Sequence, residues 1–187
     1  MLKSSSDYLA AITGAQTDHM TRDDGWRLLS IGRHVERLAF LSGALETALG
    51  LGTLQNDGGF EALLDLFDST ITFRAQYQRS RDIAALTDLL VLDLDNPRSL
   101  AWVAHTLRGR LAKLAGSPAG VLCPLSYKVP APQDWDFSND DTGSDLLEPL
   151  SLQELLRALR ASAFHVSDEI STSYFTHSGE ANRSLGT

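Results

Sequence analysis

The chain has 187 residues, of which 43% are hydrophobic and 21% are charged, with a net charge of −8 and a pI near 5.0. This length and composition are typical of one folded domain and exclude a chain that is disordered throughout. The acidic balance disfavours nucleic-acid binding, the single cysteine excludes an internal disulfide and a four-cysteine zinc site, and no apolar run of about 18 residues is present to span a membrane.

The first half of the chain predicts three helices. A short helix over residues 6–12 is interrupted by Gly14. A long helix follows Thr21, a good N-cap, and is ended by Gly50 and Gly52. A third helix is predicted over about 60–79. The long helix is the clearest, because its apolar residues recur at steps of three and four along one face: Leu28, Ile31, Val35, Leu38, Leu41, Leu45 and Leu49.

The second half of the chain predicts three more helical segments and one long loop. A shorter helix is predicted over 82–92, and the next is predicted to begin with Asp95 or Asn96 as its cap and Pro97 in its first position, and to close at Gly116. The last helix is predicted to start at the Ser-x-x-Glu capping box of residues 151–154 and to reach about residue 175.

Together these segments predict an all-α protein, a bundle of about five helices forming a single domain over residues 1–187. Residues 117–149 carry five prolines among aspartate, serine and asparagine, which predicts a long loop between the last two helices. The one β-prone run, VLCPLSYKV, contains a proline that weakens it as a strand.

A cluster of charged residues lies on the long helix beside its apolar face. Arg33, Glu36 and Arg37 are three and four residues apart, so they share one helix surface. Because this surface adjoins the apolar stripe, we expect Arg33 and Glu36 to be largely buried and paired with residues of the helix over 60–79.

The third helix offers partners for this cluster in Asp68, Thr72 and Arg74. One interpretation is a structural network in which Arg33, Glu36, Asp68 and Arg74 satisfy each other's charges. The other is a cleft in which arginine forks hold a carboxylate or a phosphate, and the sequence leaves both open. Asp95 and Arg98, near the start of the next long helix, are secondary candidates for the same site.

The sequence gives little sign of a metal site, a reactive thiol or a nucleotide-binding loop. The five histidines show no metal-ligand spacing, the acidic stretch over 134–145 lacks the glycine and the closing glutamate of a calcium loop, and Cys123 has no local base. No phosphate-binding loop, dinucleotide fingerprint or GxSxG motif is present. We therefore expect no metal and no cofactor, and we interpret Arg108 with Arg110 as part of a solvated helix face.

Four segments in order, GWRLLSIGRHVERLAFL, FDSTITFR, DLLVLDLDNPRSLAWVAHTLRGRL and ISTSYFTHS, resemble the bacterial alpha-E domain family, whose Glu-Arg motif is matched by Glu36 and Arg37. The resemblance covers about residues 20–178, except for 117–149. The family domain has an additional N-terminal helical part with an earlier Glu-Arg motif, so the resemblance implies that this chain is the C-terminal part of a longer polypeptide.

The resemblance also implies a function, because the family is associated with ATP-grasp ligases. The chain is expected to be an accessory or interaction module of a cytoplasmic system that makes peptides or amides, with an ATP-grasp-type ligase domain or subunit as its partner. It is expected not to be catalytic in isolation. The alternative is an enzyme of small-peptide synthesis or modification with a cleft around Arg33, Glu36, Asp68 and Arg74.

A homodimer is a second predicted assembly, because a bundle without its N-terminal helices would expose apolar rows. No nucleic-acid partner and no membrane partner are expected.

Overall fold

A computed structural model describes residues 2–78, 82–135 and 152–175. This part of the chain contains helices and no strand, which confirms the all-α class. The described residues form seven α-helices and one π-helical turn, Asp88–Leu92, which continues the helix before it. This makes eight helices, whereas the sequence predicted about five. The seven α-helices are α1 (Leu2–His19), α2 (Asp24–Gly50), α3 (Asp57–Leu66), α4 (Thr70–Tyr77), α5 (Ile83–Thr87), α6 (Leu100–Leu114) and α7 (Leu152–Tyr174).

The long helix α2 is the centre of the bundle and packs most extensively against α7 and α6. Its predicted apolar face is confirmed, since five of the seven residues are buried: Ile31, Val35, Leu38, Leu41 and Leu45. The helix ends at Gly50 as predicted, but its cap is Asp23 and not Thr21. An oxygen of the Asp23 side chain accepts a hydrogen bond from the Trp26 backbone N–H at 3.0 Å.

The third predicted helix is two helices, because a C-cap interrupts it at Asp68. Asp68 has a φ of 49°, and its N–H and that of Ser69 donate to the carbonyls of Asp65 and Leu64 at 2.9 Å. This is the Schellman pattern of a helix C-terminus, with aspartate in the left-handed position where glycine is usual. Aspartate tolerates that conformation better than most residues, so the sequence carried only a weak signal for the break.

The helix α6 begins three residues later than predicted. Ser99 is its N-cap, and its side-chain oxygen accepts from the Trp102 N–H at 3.0 Å. The predicted cap Asn96 is buried, and its amide instead donates to the Leu89 carbonyl at 3.0 Å. The end at Gly116 is confirmed, since this glycine has a φ of 70° and the Ser117 N–H donates to the Ala112 carbonyl at 3.0 Å.

The described part of the long loop, residues 117–135, contains two short 3-10 turns, Ser126–Lys128 and Pro132–Asp134. It is fastened to α6 through Arg108, which was predicted to be solvated but is 8% exposed and donates to the Val129 carbonyl. The Ser126 hydroxyl donates to the Arg108 carbonyl at 2.8 Å. The rest of the predicted loop and the cap at residue 151 lie outside the described residues.

The first helix runs through Gly14, so the predicted interruption there is wrong. Its side chains, where described, are exposed, including Tyr8, Leu9 and Ile12. No helix within the described ranges is both long enough and apolar enough to cross a membrane.

Candidate functional site

The Glu36 side chain is exposed, and Arg33 is half-buried. The expectation that both are largely buried is therefore wrong for Glu36. The reason is helical phase: Glu36 lies one residue beyond the buried Val35 and points away from α6 and α7. Within the described residues Glu36 makes no hydrogen bond and no ion pair.

Asp68 pairs with Arg98, a secondary candidate, and not with Arg33. The Nε and Nη2 atoms of Arg98 donate to one Asp68 carboxylate oxygen at 3.1 and 2.7 Å. The α2 residue Arg37 lies beside this pair, since the Arg98 charge lowers its pKa and the Asp68 charge raises it. The largest cause of its net lowered pKa is partial desolvation of the guanidinium.

The remaining predicted residues lie apart from this pair. Arg74 is exposed and forms an ion pair with Glu61 of α3 at 2.9 Å, and Thr72 is half-buried in α4. Asp95 is exposed in the turn before α6, where its backbone N–H donates to Asp93. The structure therefore brings together Asp68, Arg37 and Arg98, and it does not gather Arg33, Glu36, Asp68 and Arg74 into one cleft.

The helices α2 and α6 run antiparallel, and cationic and aromatic side chains alternate along their shared edge. The guanidinium groups of Arg22 and Arg110 lie 4.1 and 4.9 Å from the Trp26 ring centroid. Further along, the rings of His34 and Trp102 stack with centroids 5.9 Å apart. We call this row the arginine–tryptophan surface; its residues are Arg22, Trp26, Arg33, His34, Arg37, Arg98, Trp102 and Arg110.

His34 lies in the middle of the arginine–tryptophan surface, and the positive charge of this surface affects its pKa. Burial is the largest cause that lowers the pKa of His34, and the charges of Arg110, Arg37 and Arg33 lower it further. A hydrogen bond between Nδ1 and the Ser30 carbonyl, at 2.7 Å, opposes this effect only in part. The field of at least three arginines therefore converges on this ring.

Arg110 belongs to this surface and was missed by the sequence analysis, which interpreted it as solvated. Burial is the first cause of its lowered pKa, and the charge of Arg22 is the second. Its Nε atom is buried without a hydrogen-bond partner in the described part of the chain. The available signal was its spacing of eight residues from Trp102, which places both on one face of α6.

Two concave features lie elsewhere. An open groove of about 660 Å³ between α2 and α3 has mostly small or apolar walls, among them Ala39, Phe40, Gly43, Leu51 and Leu66. We call it the α2–α3 groove. A second cavity of about 560 Å³ lies between the end of α6, the loop at Cys123–Leu125 and the end of α7.

The second cavity contains the buried free thiol of Cys123, whose sulfur lies 3.1 Å from the Ser126 hydroxyl. Among the residues that the structure describes, no three histidine, cysteine, aspartate or glutamate side chains cluster as metal donors.

The Alpha-E family model, described as a predicted alpha-helical domain with a conserved ER motif, matches residues 1–175. The match thus includes α1, whereas the sequence motifs placed the start of the resemblance near residue 20. Glu36–Arg37 is the one Glu-Arg pair in the sequence.

Uncharacterized proteins of Mycobacterium bovis and of two strains of Mycobacterium tuberculosis are each 25% identical to the chain over 169 residues. The matched region is 86% of this chain but 19% of each relative, so the chain spans about a fifth of the length of the curated relatives it matches. No solved structure matches it.

Proposed function

The chain belongs to the Alpha-E family, and from that premise we propose that it is a helical interaction module that docks onto an ATP-grasp-type ligase of peptide or amide synthesis. The observation that carries the docking role is the α2–α3 groove. Three large apolar side chains at its walls are solvent-exposed, Phe40 at 59%, Leu51 at 72% and Leu66 at 44%. Single exposed apolar residues are ordinary, whereas several around one groove are typical of an interaction site.

The shape of the α2–α3 groove suits a helix from the partner. On the α2 side Phe40 is accompanied by small residues, since Ala39, Gly43, Ala44 and Ala48 follow one another at steps of one and four. Small residues allow the backbone of a second helix to approach closely, and an apolar stripe on that helix would cover Phe40 and Leu66. The choice of an ATP-grasp ligase as the partner rests on the family resemblance.

The dispersal of the predicted polar residues favours a module over an enzyme built on them. A cleft around Arg33, Glu36, Asp68 and Arg74 requires all four side chains near one reacting atom. Asp68 is held by Arg98, and Arg74 is held by Glu61. The proposal also assigns the module to the cytoplasm, where a free thiol such as that of Cys123 stays reduced.

The docking proposal is tested by titrating the purified chain into a purified ATP-grasp-type ligase from the same organism and measuring the heat of binding. Phe40→Glu and Leu66→Glu place a charge at the walls of the groove and are expected to weaken binding by at least about tenfold. Ile71→Glu is the matched control, because Ile71 is 86% exposed on α4 and lies outside the groove. It is expected to bind like the unchanged chain.

Three results would contradict docking at the groove: no binding to the ligase, equal loss in the Ile71→Glu control, or a chain that dimerises through the groove in preference to binding the ligase. Light scattering of the chain alone separates the last case, since the monomer has a mass of 20.4 kDa.

A further inference from the structure

The arginine–tryptophan surface contains two arginines that form no ion pair in the described part of the chain, the half-buried Arg110 and the more exposed Arg37. Arg37 and Arg110 form no hydrogen bond and no ion pair there, and removal from water lowers the pKa of each. A cation that has lost part of its hydration is stabilised only by an opposite charge or by hydrogen-bond acceptors. Within the described residues Arg110 has no such partner, and Arg37 has only the charge of Asp68, whose carboxylate already accepts two hydrogen bonds from Arg98. Both arginines can therefore bind an external anion.

Two carboxylates near this surface already accept hydrogen bonds from other groups. Asp23 is engaged as the cap of α2, and Asp68 accepts both hydrogen bonds from Arg98. Glu36 is exposed beside Arg37. The carboxylates of Asp23 and Asp68 are thus already engaged, on a chain whose net charge is −8.

Stacking on Trp26 holds the Arg110 guanidinium in an orientation in which it can bind an anion. Arg110 lies over the Trp26 ring at 4.9 Å, and this contact uses the flat face of the guanidinium. Its Nε atom is buried, so the two terminal nitrogens are the atoms that can form the paired hydrogen bonds that guanidinium groups make with carboxylates. The planar ring also restricts the arginine rotamers, which lowers the entropy lost on binding.

The spacing of the two arginines selects the ligand. Arg110 lies over the ring of Trp26, and Arg37 follows Trp26 by 11 residues on α2, over which the helix axis rises about 16 Å at about 1.5 Å per residue. An extended peptide covers about 16 Å in five residues. A polyanion such as nucleic acid would meet the repulsion of the whole acidic chain, whereas a short ligand with two charges meets little of it.

We propose that the arginine–tryptophan surface binds a short acidic peptide in an extended conformation, with one carboxylate at Arg37 and a second at Arg110. The peptide backbone lies along the stacked rings of His34 and Trp102 between the two arginines. This site is distinct from the α2–α3 groove, so it can be tested on the chain alone, without the ligase.

The probe is a peptide of about six residues, Glu-Ser-Ser-Ser-Ser-Glu, whose binding to the full chain is measured by fluorescence anisotropy at low salt. The control peptide has glutamine at both ends. We expect saturable binding of the glutamate peptide that weakens as salt is added, and at least about tenfold weaker binding of the glutamine peptide. A peptide with free termini and one with capped termini distinguish a small free peptide from an internal segment of a protein.

Variants of the chain locate the site. Arg37→Gln and Arg110→Gln are each expected to weaken binding about tenfold, and Arg110→Lys is expected to recover part of the loss because it keeps the charge but loses the fork. Arg157→Gln removes an arginine on α7 that pairs with Glu46, and it is expected to bind the peptide within about twofold of the unchanged chain. Unchanged circular dichroism spectra confirm that the variants fold.

The proposal is overturned if the unchanged chain does not distinguish the glutamate peptide from the glutamine peptide. Equal weakening by Arg157→Gln would also overturn it, because the attraction would then be general. Tighter binding of a duplex oligonucleotide at the same salt would assign the surface to nucleic acid instead.

Discussion

His34 is the residue whose ionisation should be visible in the stability of the fold. Its pKa lies below its ordinary value of 6.5, so between these two values the unfolded chain binds more protons at His34 than the folded chain. The stabilising contribution is therefore complete above pH 6.5 and is lost as the pH falls from 6.5 through the folded-state pKa. We expect the urea midpoint to fall over this range.

The variant His34→Gln should make that fall smaller, because glutamine does not titrate. His165→Gln, at an exposed position of α7, is the matched control for the loss of a histidine. Equal slopes for the unchanged chain and the His34→Gln variant would contradict a lowered pKa of His34 in the folded chain.

Asp68 combines a charge with a left-handed backbone conformation, and two substitutions separate these contributions. Asp68→Asn removes the ion pair with Arg98 but keeps a residue that tolerates a φ of 49°. Because the carboxylate is 85% exposed, this change should cost less than about 1 kcal/mol of unfolding free energy. Asp68→Val adds steric strain and should cost about 1–2 kcal/mol more. Chemical denaturation measures both, and equal losses would show that the backbone contributes nothing.

At the scale of the elements, the start of α3 depends on one glycine. A Cβ atom on Gly59 would lie 2.1 Å from the Thr53 carbonyl oxygen, whereas one on the adjacent Gly58 would make an ordinary contact at 3.8 Å. Gly59→Ala should therefore cost about 1–3 kcal/mol of stability, because the backbone must move. Gly58→Ala should change stability by less than about 1 kcal/mol. Thermal melting compares the two, and equal melting temperatures would argue that the helix and the preceding turn are further apart.

The N-cap of α6 is Ser99, whereas the sequence suggested Asp95 or Asn96. Substitutions at Ser99 and Asp95 compare the two positions. Ser99→Ala removes the acceptor for the Trp102 N–H and should cost about 1 kcal/mol. Asp95→Ala should cost less than about 0.5 kcal/mol, because that side chain is exposed and caps no helix. Urea denaturation of both variants measures the difference, and a larger loss for Asp95→Ala would restore the earlier start of the helix.

For the whole molecule, we expect the isolated chain to show no ATP hydrolysis and no amide-bond formation. ATP-grasp ligases bind their nucleotide between β-sheets, and the described part of this chain consists of helices and loops. Activity is expected only when the ligase is added, as measured by phosphate release with amino acids as acceptors. Turnover by the isolated chain that is abolished by Glu36→Gln would overturn the accessory role.

The sequence by itself determined the all-α class, the buried face of α2 and the ends of helices at Gly50 and Gly116. Each follows from local physics: apolar residues at helical spacing must be buried together, and glycine favours the positive φ found just after both helices, at Gly52 and Gly116. The same reasoning predicted a polar cluster around Arg33 and Arg37, but it could not identify the neighbours of those side chains.

Only the tertiary structure decided which charges meet. Asp68 and Arg98 are 30 residues apart in the sequence. Their ion pair depends on the helix break at Asp68, which helix propensity does not specify. Arg110 joins Trp26 because α6 packs antiparallel to α2. Burial of Arg108 and exposure of Glu36 likewise depend on which helix covers each face. Such pairings arise from the packing of distant segments, and the spacing of residues along one helix carries no information about them.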